Sequence, residues 1–315
     1  MNADSHRTSS TKPAFACDKS TREWLCAIAL ALCAATSALG QSNSEPKHQP
    51  IDDLPENERW FALHRAPIDD NLVTDRPDFT ESTEAIPVGR FQLEMGYTFT
   101  YDRENDVRVR DHTAPELLLR MGIVENFELR FAWAGYSYTE TRDTVRNDAG
   151  RRVSSESWEQ GANDFELGFK LKIAEQNGPR PNLAILGAMT FPTGSSHISP
   201  GDVEPLVGLL WAYDLSDDVA LAGQFLVGTP VEDGRRYVQS AASLSLGVSL
   251  TEQLGTYIEY YGIYHNTRES DCAHTVNGGF TYLINNNLQF DIRAGFGLNE
   301  EADDFFTGAG LSWRF

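Results

Sequence analysis

Apolar residues never run long enough in this chain to cross a membrane as a helix. The longest such run, residues 24–35, falls well short of the ~20 apolar residues that a spanning helix needs. Cysteine is scarce as well. Of four, Cys17, Cys26 and Cys33 lie in the first 40 residues and only Cys272 follows, so no two can pair within residues 41–315. A four-cysteine zinc site is excluded for the same reason. Basic side chains are few: 26 Lys and Arg stand against 46 Asp and Glu, a formal charge of −20. A phosphate backbone needs a basic face, so this balance excludes a nucleic-acid partner. Any part of the chain that enters a bilayer must therefore enter as strands.

Residues 1–40 carry the pattern of a secretory signal peptide. Arg7, Lys12, Lys19 and Arg22 precede or open the apolar run, and the small residues Thr36, Ser37, Ala38 and Gly40 follow it, which places cleavage near Gly40. Leu32 stands where a lipid-attachment motif at Cys33 would need a small residue, which argues against lipidation. Residues 41–73 are polar and punctuated by Pro46, Pro50, Pro55 and Pro67, and they read as a disordered linker. Trp60, Phe61 and Leu63 give it one apolar turn.

From Gly89 onward the hydropathy has a period of two. Phe91, Leu93, Met95, Tyr97, Phe99 and Tyr101 alternate with Gln92, Glu94, Gly96, Thr98 and Thr100. Successive strand side chains point to opposite faces, so each such stretch has one oily and one polar face. The pattern recurs in Phe127, Leu129, Phe131 and Trp133, in Phe165, Leu167, Phe169 and Leu171, and in Leu288, Phe290 and Ile292. It recurs again in the closing stretch, where Phe315, Trp313, Leu311 and Ala309 alternate with Arg314, Ser312, Gly310 and Gly308. Twelve segments can be counted, starting near Gly89, Thr113, Asn126, Asn163, Arg180, Val203, Val219, Val238, Gln253, Ala273, Asn287 and Phe305. Three of them, near residues 183–191, 203–213 and 219–227, are apolar on both faces, as strands with a packed inner side would be.

The connections alternate between long (102–112, 139–162, 192–202, 229–237, 266–272, 299–304) and short (122–125, 177–179, 215–218, 251–252, 285–286). This is the layout of a meander with short periplasmic turns on one rim and long external loops on the other. Strands of ten to thirteen residues suit a tilted membrane strand of ~9–11 better than the ~5–6 of globular proteins. Hydrocarbon leaves no unpaired edge tolerable, so the sheet must close. Aromatics gather near strand ends (Tyr101, Trp133, Trp211, Tyr213, Tyr264, Tyr282, Trp313, Phe315), the interfacial girdles of such a barrel. The expected fold is all-β, a closed antiparallel up-and-down transmembrane β-barrel of about 12 strands over residues 89–315. The alternative is a soluble barrel or sandwich with the apolar face as its core.

With the apolar face toward lipid, the polar set faces a lumen: Glu94, Glu116, Arg120, Glu128, Arg130, Asp164, Glu166, Lys170, Lys172, Glu204, Gln224, Tyr257, Glu259, Tyr261, Asp291, Arg293 and Arg314. Buried charges must pair to be tolerated, so these form either a structural network or the lining of a permeation path. Catalytic chemistry finds little footing. His112, His197, His265 and His274 fall at or near the long-loop rim, Ser195 and His197 are too close in sequence to define a nucleophile and its base, and no cofactor motif is present. His265, Asp271, Cys272 and His274 could meet a metal at one loop tip, although solvated loop positions are the plainer reading. The acidic run 299–304 could hold divalent cations against lipopolysaccharide.

Before the first strand stands Thr74-Asp75-Arg76-Pro77-Asp78-Phe79-Thr80-Glu81-Ser82, followed by Gly89-Arg90-Phe91-Gln92-Leu93-Glu94. These residues resemble the family of outer-membrane proteins of the phenol-degradation meta pathway, locally over residues 75–97 and diffusely to Phe315. The resemblance implies an outer-membrane barrel and a transport role for small aromatic or hydrophobic molecules, and it supplies no catalytic residues. Residues 74–88, with Asp75, Arg76, Asp78, Phe79 and Glu81 foremost, are expected to fold into the lumen as a plug, pairing with the inner-face charges. Outer-membrane lipid and lipopolysaccharide, a small-molecule solute, and the barrel-assembly machinery acting through terminal Phe315 are the expected partners. A non-conducting anchor is the second reading of function and an outer-membrane hydrolase the third.

Overall fold

The structure is a computed structural model that describes residues 68–146, 151–269 and 272–315. The expected signal peptide and the linker up to residue 67 lie outside the described residues. Among the described residues every regular element is a strand: β1 (Phe91–Glu104), β2 (Val107–Val124), β3 (Phe127–Trp133), β4 (Tyr136–Arg146), β5 (Arg152–Ala162), β6 (Phe165–Ala174), β7 (Asn182–Phe191), β8 (Glu204–Asp214), β9 (Val219–Gly228), β10 (Val231–Glu232), β11 (Arg235–Arg236), β12 (Gln239–Ser249), β13 (Leu254–Tyr264), β14 (Cys272–Asn285), β15 (Leu288–Gly297) and β16 (Phe305–Arg314). Cys272 is buried; the other three cysteines lie outside the described residues.

Twelve strands form a ring in the order β1, β2, β3, β6, β7, β8, β9, β12, β13, β14, β15, β16, each antiparallel to its neighbours. β1 pairs with both β2 and β16, which closes the sheet. The seam ends on reciprocal backbone bonds, Phe91 N to Phe315 O at 3.0 Å and Phe315 N to Phe91 O at 2.9 Å. Every strand of the ring therefore has partners on both sides, the condition for placing backbone amides in hydrocarbon.

Burial is inverted relative to a soluble protein. Val207 is 61 % and Ile258 59 % exposed, whereas Glu128 and Lys170 are 0 % exposed. Along β15 the outward Phe290, Ile292 and Phe296 are exposed and the inward Gln289 and Asp291 buried. An aqueous solvent would drive those apolar side chains inward, so the outer surface is one made for lipid. Aromatic pairs rim it: Trp313 and Phe315 (4.6 Å between centroids) and Phe91 and Phe315 (5.7 Å) at the seam's lower end, Trp133 and Phe165 (5.4 Å) at the opposite rim. The soluble alternative fails on this point.

Two expected loops are strands instead. Residues 102–112 are the paired ends of β1 and β2, turning only at Asn105 and Asp106, with Asn105 at φ 54°. Within residues 139–162, β4 and β5 form a hairpin that pairs with the far half of β2. The handover occurs at Pro115, beyond which β2 pairs with β3; proline offers no amide to a continuous ladder. Above the bilayer both faces of these strands meet water, so alternation no longer marks them. The expected loop 229–237 likewise contains the two-residue strands β10 and β11.

An Ile292→Arg substitution places a charge on the lipid face midway along β15. It is expected to lower unfolding free energy in lipid by ~2–4 kcal/mol, read by urea titration of the reconstituted protein. An unchanged midpoint would mean that this face does not meet hydrocarbon.

Candidate functional site: a strap across the lumen

The ring encloses residues 74–88, which cross from one wall to the other and back before entering β1. The strap begins at the turn between β14 and β15, where Leu72 N donates to Asn286 O (2.8 Å) and Asn287 Nδ2 donates to Ile68 O (3.1 Å). Arg314 Nη2 donates to Asp70 O, and Gln92 Nε2 and Arg120 Nη1 donate to Val73 O. Residues 68–73, expected as the end of the linker, thus belong to the tied segment. Composition marked them as polar, and backbone groups bonded to the barrel hold them nonetheless.

The first anchor is Asp75. Its carboxylate takes Lys170 Nζ at 2.7 and 2.8 Å and Arg130 Nη1 at 2.5 Å, with Arg120 Nε 3.3 Å away. Ser82 of the same strap donates to it through N and Oγ, closing a local loop. Arg120 also pairs with Glu94 (3.2 Å) and Glu128 (2.9 Å), and Arg130 with Glu81 (2.9 Å). Burial alone would raise the Asp75 carboxyl; Arg120, Lys170 and Arg130 outweigh it and hold the group well below the usual carboxylate range. Glu94 in turn accepts from the backbone amides of Asp75 and Arg76.

The far end of the strap rests on β9, β12 and β13. Glu259 accepts from Phe79 N and Thr80 N, both at 2.7 Å, and from Thr80 Oγ1 at 2.6 Å. Thr80 Oγ1 also lies 2.6 Å from Ser243 Oγ, and Gln224 exchanges bonds with Phe79 O and Glu81 N. The Phe79 ring stacks on Tyr261 at 4.4 Å. Asp78 accepts from Ser245 Oγ at 2.9 Å; burial, then the charge of Glu259, pushes its carboxyl well above the usual range. On the return, Arg120 Nη2 donates to Glu84 O, Lys172 pairs with Glu84 (2.9 Å), and Ile86 N donates to Glu128.

Arg76 forms a separate node: Nη1 donates to Glu116 (2.9 Å), Nε and Nη2 to Asp291 (3.4 Å each), and Arg293 Nη1 donates to Pro77 O (2.9 Å). Glu94, Arg120, Glu128, Arg130, Lys170, Glu259, Glu116, Asp291 and Arg293 all touch the strap or its neighbours. Glu166 faces the charges of Glu81 and Arg130 and borders, with Arg76, a cavity of about 460 Å³ on the external side. Glu204 accepts from Val231 N, and Asp164 from Thr193 N, Gly194 N and Ser199 Oγ, so both fasten external loops. Neutral contacts such as Ser243, Ser245, Asn277 and Gln289 were missed. Their signal was positional, since Ser243 and Ser245 alternate with Leu244 and Leu246 on the inward parity of β12. Around β7–β9 the wall is packed on itself, Ala184, Leu186 and Leu210 meeting Leu206 and Leu226, as the two-sided apolar pattern of those strands required.

The expected loop-tip metal site has Asp271 outside the described residues, and His274 Nδ1 is engaged with Tyr260 OH at 2.8 Å. No metal-binding cluster occurs among the described residues.

Asp75→Ala leaves Arg120, Arg130 and Lys170 facing too few carboxylates. Breaking a buried pair from one side costs about 3–5 kcal/mol, so a lower urea midpoint and protease cleavage within residues 74–88 are expected. Wild-type stability with a protected strap would contradict the assignment.

Residues 74–315 match the family described as "Putative MetA-pathway of phenol degradation"; the match begins where the strap does. No curated protein matches the sequence. Among solved structures, an outer membrane channel from Pseudomonas putida F1 is 16 % identical, with a TM-score of 0.54 over 74 % of this chain and 98 % of that one. The translocator domain of the autotransporter NalP from Neisseria meningitidis is 11 % identical, with a TM-score of 0.46 over 72 % and 88 %. The transport unit of the autotransporter AIDA-I from Escherichia coli is 11 % identical, with a TM-score of 0.45 over 71 % and 88 %. At 16 % identity the first of these likenesses speaks for the fold. With a twelve-strand closed ring and a family match over both strap and barrel, the chain belongs to the phenol-degradation MetA-pathway family.

Proposed function

We propose that this protein is an outer-membrane channel for small solutes, with residues 74–88 as its constriction. The observation that carries the reading is the pair of cavities left by the strap. One of about 460 Å³ opens on the external side, bounded by Leu118, Ala132, Trp133 and Ile198 beside Glu116 and Glu166. Another of about 390 Å³ lies toward the periplasmic turns, walled by Ala220, Ala222, Ser245, Gly247 and Ser249. A strap hung on hydrogen bonds and ion pairs, in place of a packed apolar core, narrows the lumen while leaving space above and below it. The solved relative from Pseudomonas putida F1 is described as an outer membrane channel, which agrees with this reading.

Small aromatic or otherwise hydrophobic molecules are the solute class, from the family's link to phenol degradation and the apolar side chains of the external cavity. The chain is exported to the outer membrane, where lipid and lipopolysaccharide meet its outward face and Phe315 serves the barrel-assembly machinery. The anchor reading draws on the density of strap contacts, which would suit a permanently shut barrel. A hydrolase is disfavoured because the loop hydroxyl and imidazole are engaged elsewhere: Ala162 N donates to Ser195 Oγ (2.9 Å), and His197 Nε2 lies 2.8 Å from Gln160 O.

Planar-bilayer recording decides between these readings. Wild-type protein is expected to give small reproducible steps and a deletion of residues 74–82 larger ones, each first checked for heat-modifiable gel migration. Silence from both folded proteins favours the anchor, and equal conductance removes the strap as the constriction.

A further inference from the structure

Among the described residues, Arg76 is the single one that borders both cavities, and it is the one basic side chain lining either of them. The external cavity carries Glu94, Glu116, Asp164, Glu166 and Glu204. The periplasmic one carries Asp214, Asp217 and Asp218, beside an Asp78 whose carboxyl burial and Glu259 push toward its neutral form. Acid-lined chambers in a low-dielectric wall concentrate cations and repel anions. Its guanidinium places a fixed positive charge on the border of both chambers.

The barrel wall is shaped to receive that group. Gly96 of β1 and Gly310 of β16 are direct cross-strand partners. A Cβ on Gly96 would overlap Arg76 Nη1, and one on Gly310 would overlap Nε. The two missing side chains leave a slot in which the guanidinium lies against the wall, held by Glu116 at 2.9 Å and by the longer contacts to Asp291 at 3.4 Å. Arginine suits this place because its planar fork reaches two carboxylates at once and stays charged at any physiological pH.

We infer that Arg76 is the charge-selectivity residue of the channel: the two acidic chambers admit neutral and cationic solutes, exclude anions, and are separated by this one positive barrier. The inference rests on the channel reading above. It also refines the solute class, since an aromatic molecule would pass in its neutral form and be refused as its anion.

Bilayer recording across a KCl gradient tests it, at about 0.1 M salt or below so that the Debye length stays near 10 Å. Arg76→Gln leaves Glu116 and Asp291 without their cation, and is expected to raise K⁺ conductance and shift the reversal potential toward cations by a several-fold change in permeability ratio. Arg76→Lys keeps the charge and is expected to keep the wild-type preference. Gly96→Ala fills the slot and drives the guanidinium into the passage, lowering conductance with selectivity unchanged. Each variant is compared with the 74–82 deletion after a heat-modifiability check. If the deletion conducts and Arg76→Gln keeps the wild-type reversal potential, the assignment of Arg76 falls and the channel stands. If all the folded proteins, the deletion included, are silent, both fall.

Discussion

Charge removed from water has to be matched where it lies, and the inner wall of this barrel does not match its own. Arg120, Arg130 and Lys170 stand together, buried, with only Glu94 and Glu128 among the buried wall carboxylates beside them. Asp75 of the strap completes the set by contacting all three cations. Isolated buried ions cost several kcal/mol each, so wall and strap are stable only as one object. Arg76 repeats the relation with signs exchanged, a strap cation between the wall acids Glu116 and Asp291. The alternation of charge between neighbouring strap residues fixes the strap's register against the wall.

The outer face answers a different solvent. Hydrocarbon forbids unpaired amides, which the β1–β16 seam satisfies, and it reverses the usual sorting of side chains, so that Phe290 and Ile292 are exposed while Asp291 between them is buried. Because strands have a period of two, the same ten residues serve both demands at once. Oily outward parity holds the ring in the membrane, and polar inward parity holds the strap in the ring. On the channel reading proposed for it, the protein works through what remains unfilled, the chambers on either side of the strap.

Legibility in the sequence followed the solvent. Where one face met lipid and the other a polar lumen, as in β1, β3, β6 and β15, alternation gave the strand and its orientation to within a few residues. Where both faces met water, in the far halves of β1 and β2 and in β4 and β5, hydropathy carried no period and the strands looked like loops. Charged strap partners such as Lys170, Glu259 and Asp291 stood out because a charge in an oily strand has to go somewhere. Ser243 and Asn277 did not, since a small polar residue is cheap to bury in many settings. No local pattern told which wall the strap would touch: Thr80 and Ser243 are 163 residues apart, and their meeting depends on the closed ring.

A constricted channel requires residues 74–88 to lie across the lumen of the assembled barrel. Thr80 Oγ1 and Ser243 Oγ are 2.6 Å apart, close enough for cysteines at both positions to form a disulfide once side chains settle. The deciding measurement is oxidation of the Thr80→Cys, Ser243→Cys protein in native outer membranes, followed by proteolysis between the two positions and non-reducing gel electrophoresis. Fragments that stay joined until reductant is added are the predicted result. Fragments that separate without reductant, with both thiols still free for alkylation, would contradict the placement of the strap and the channel built around it.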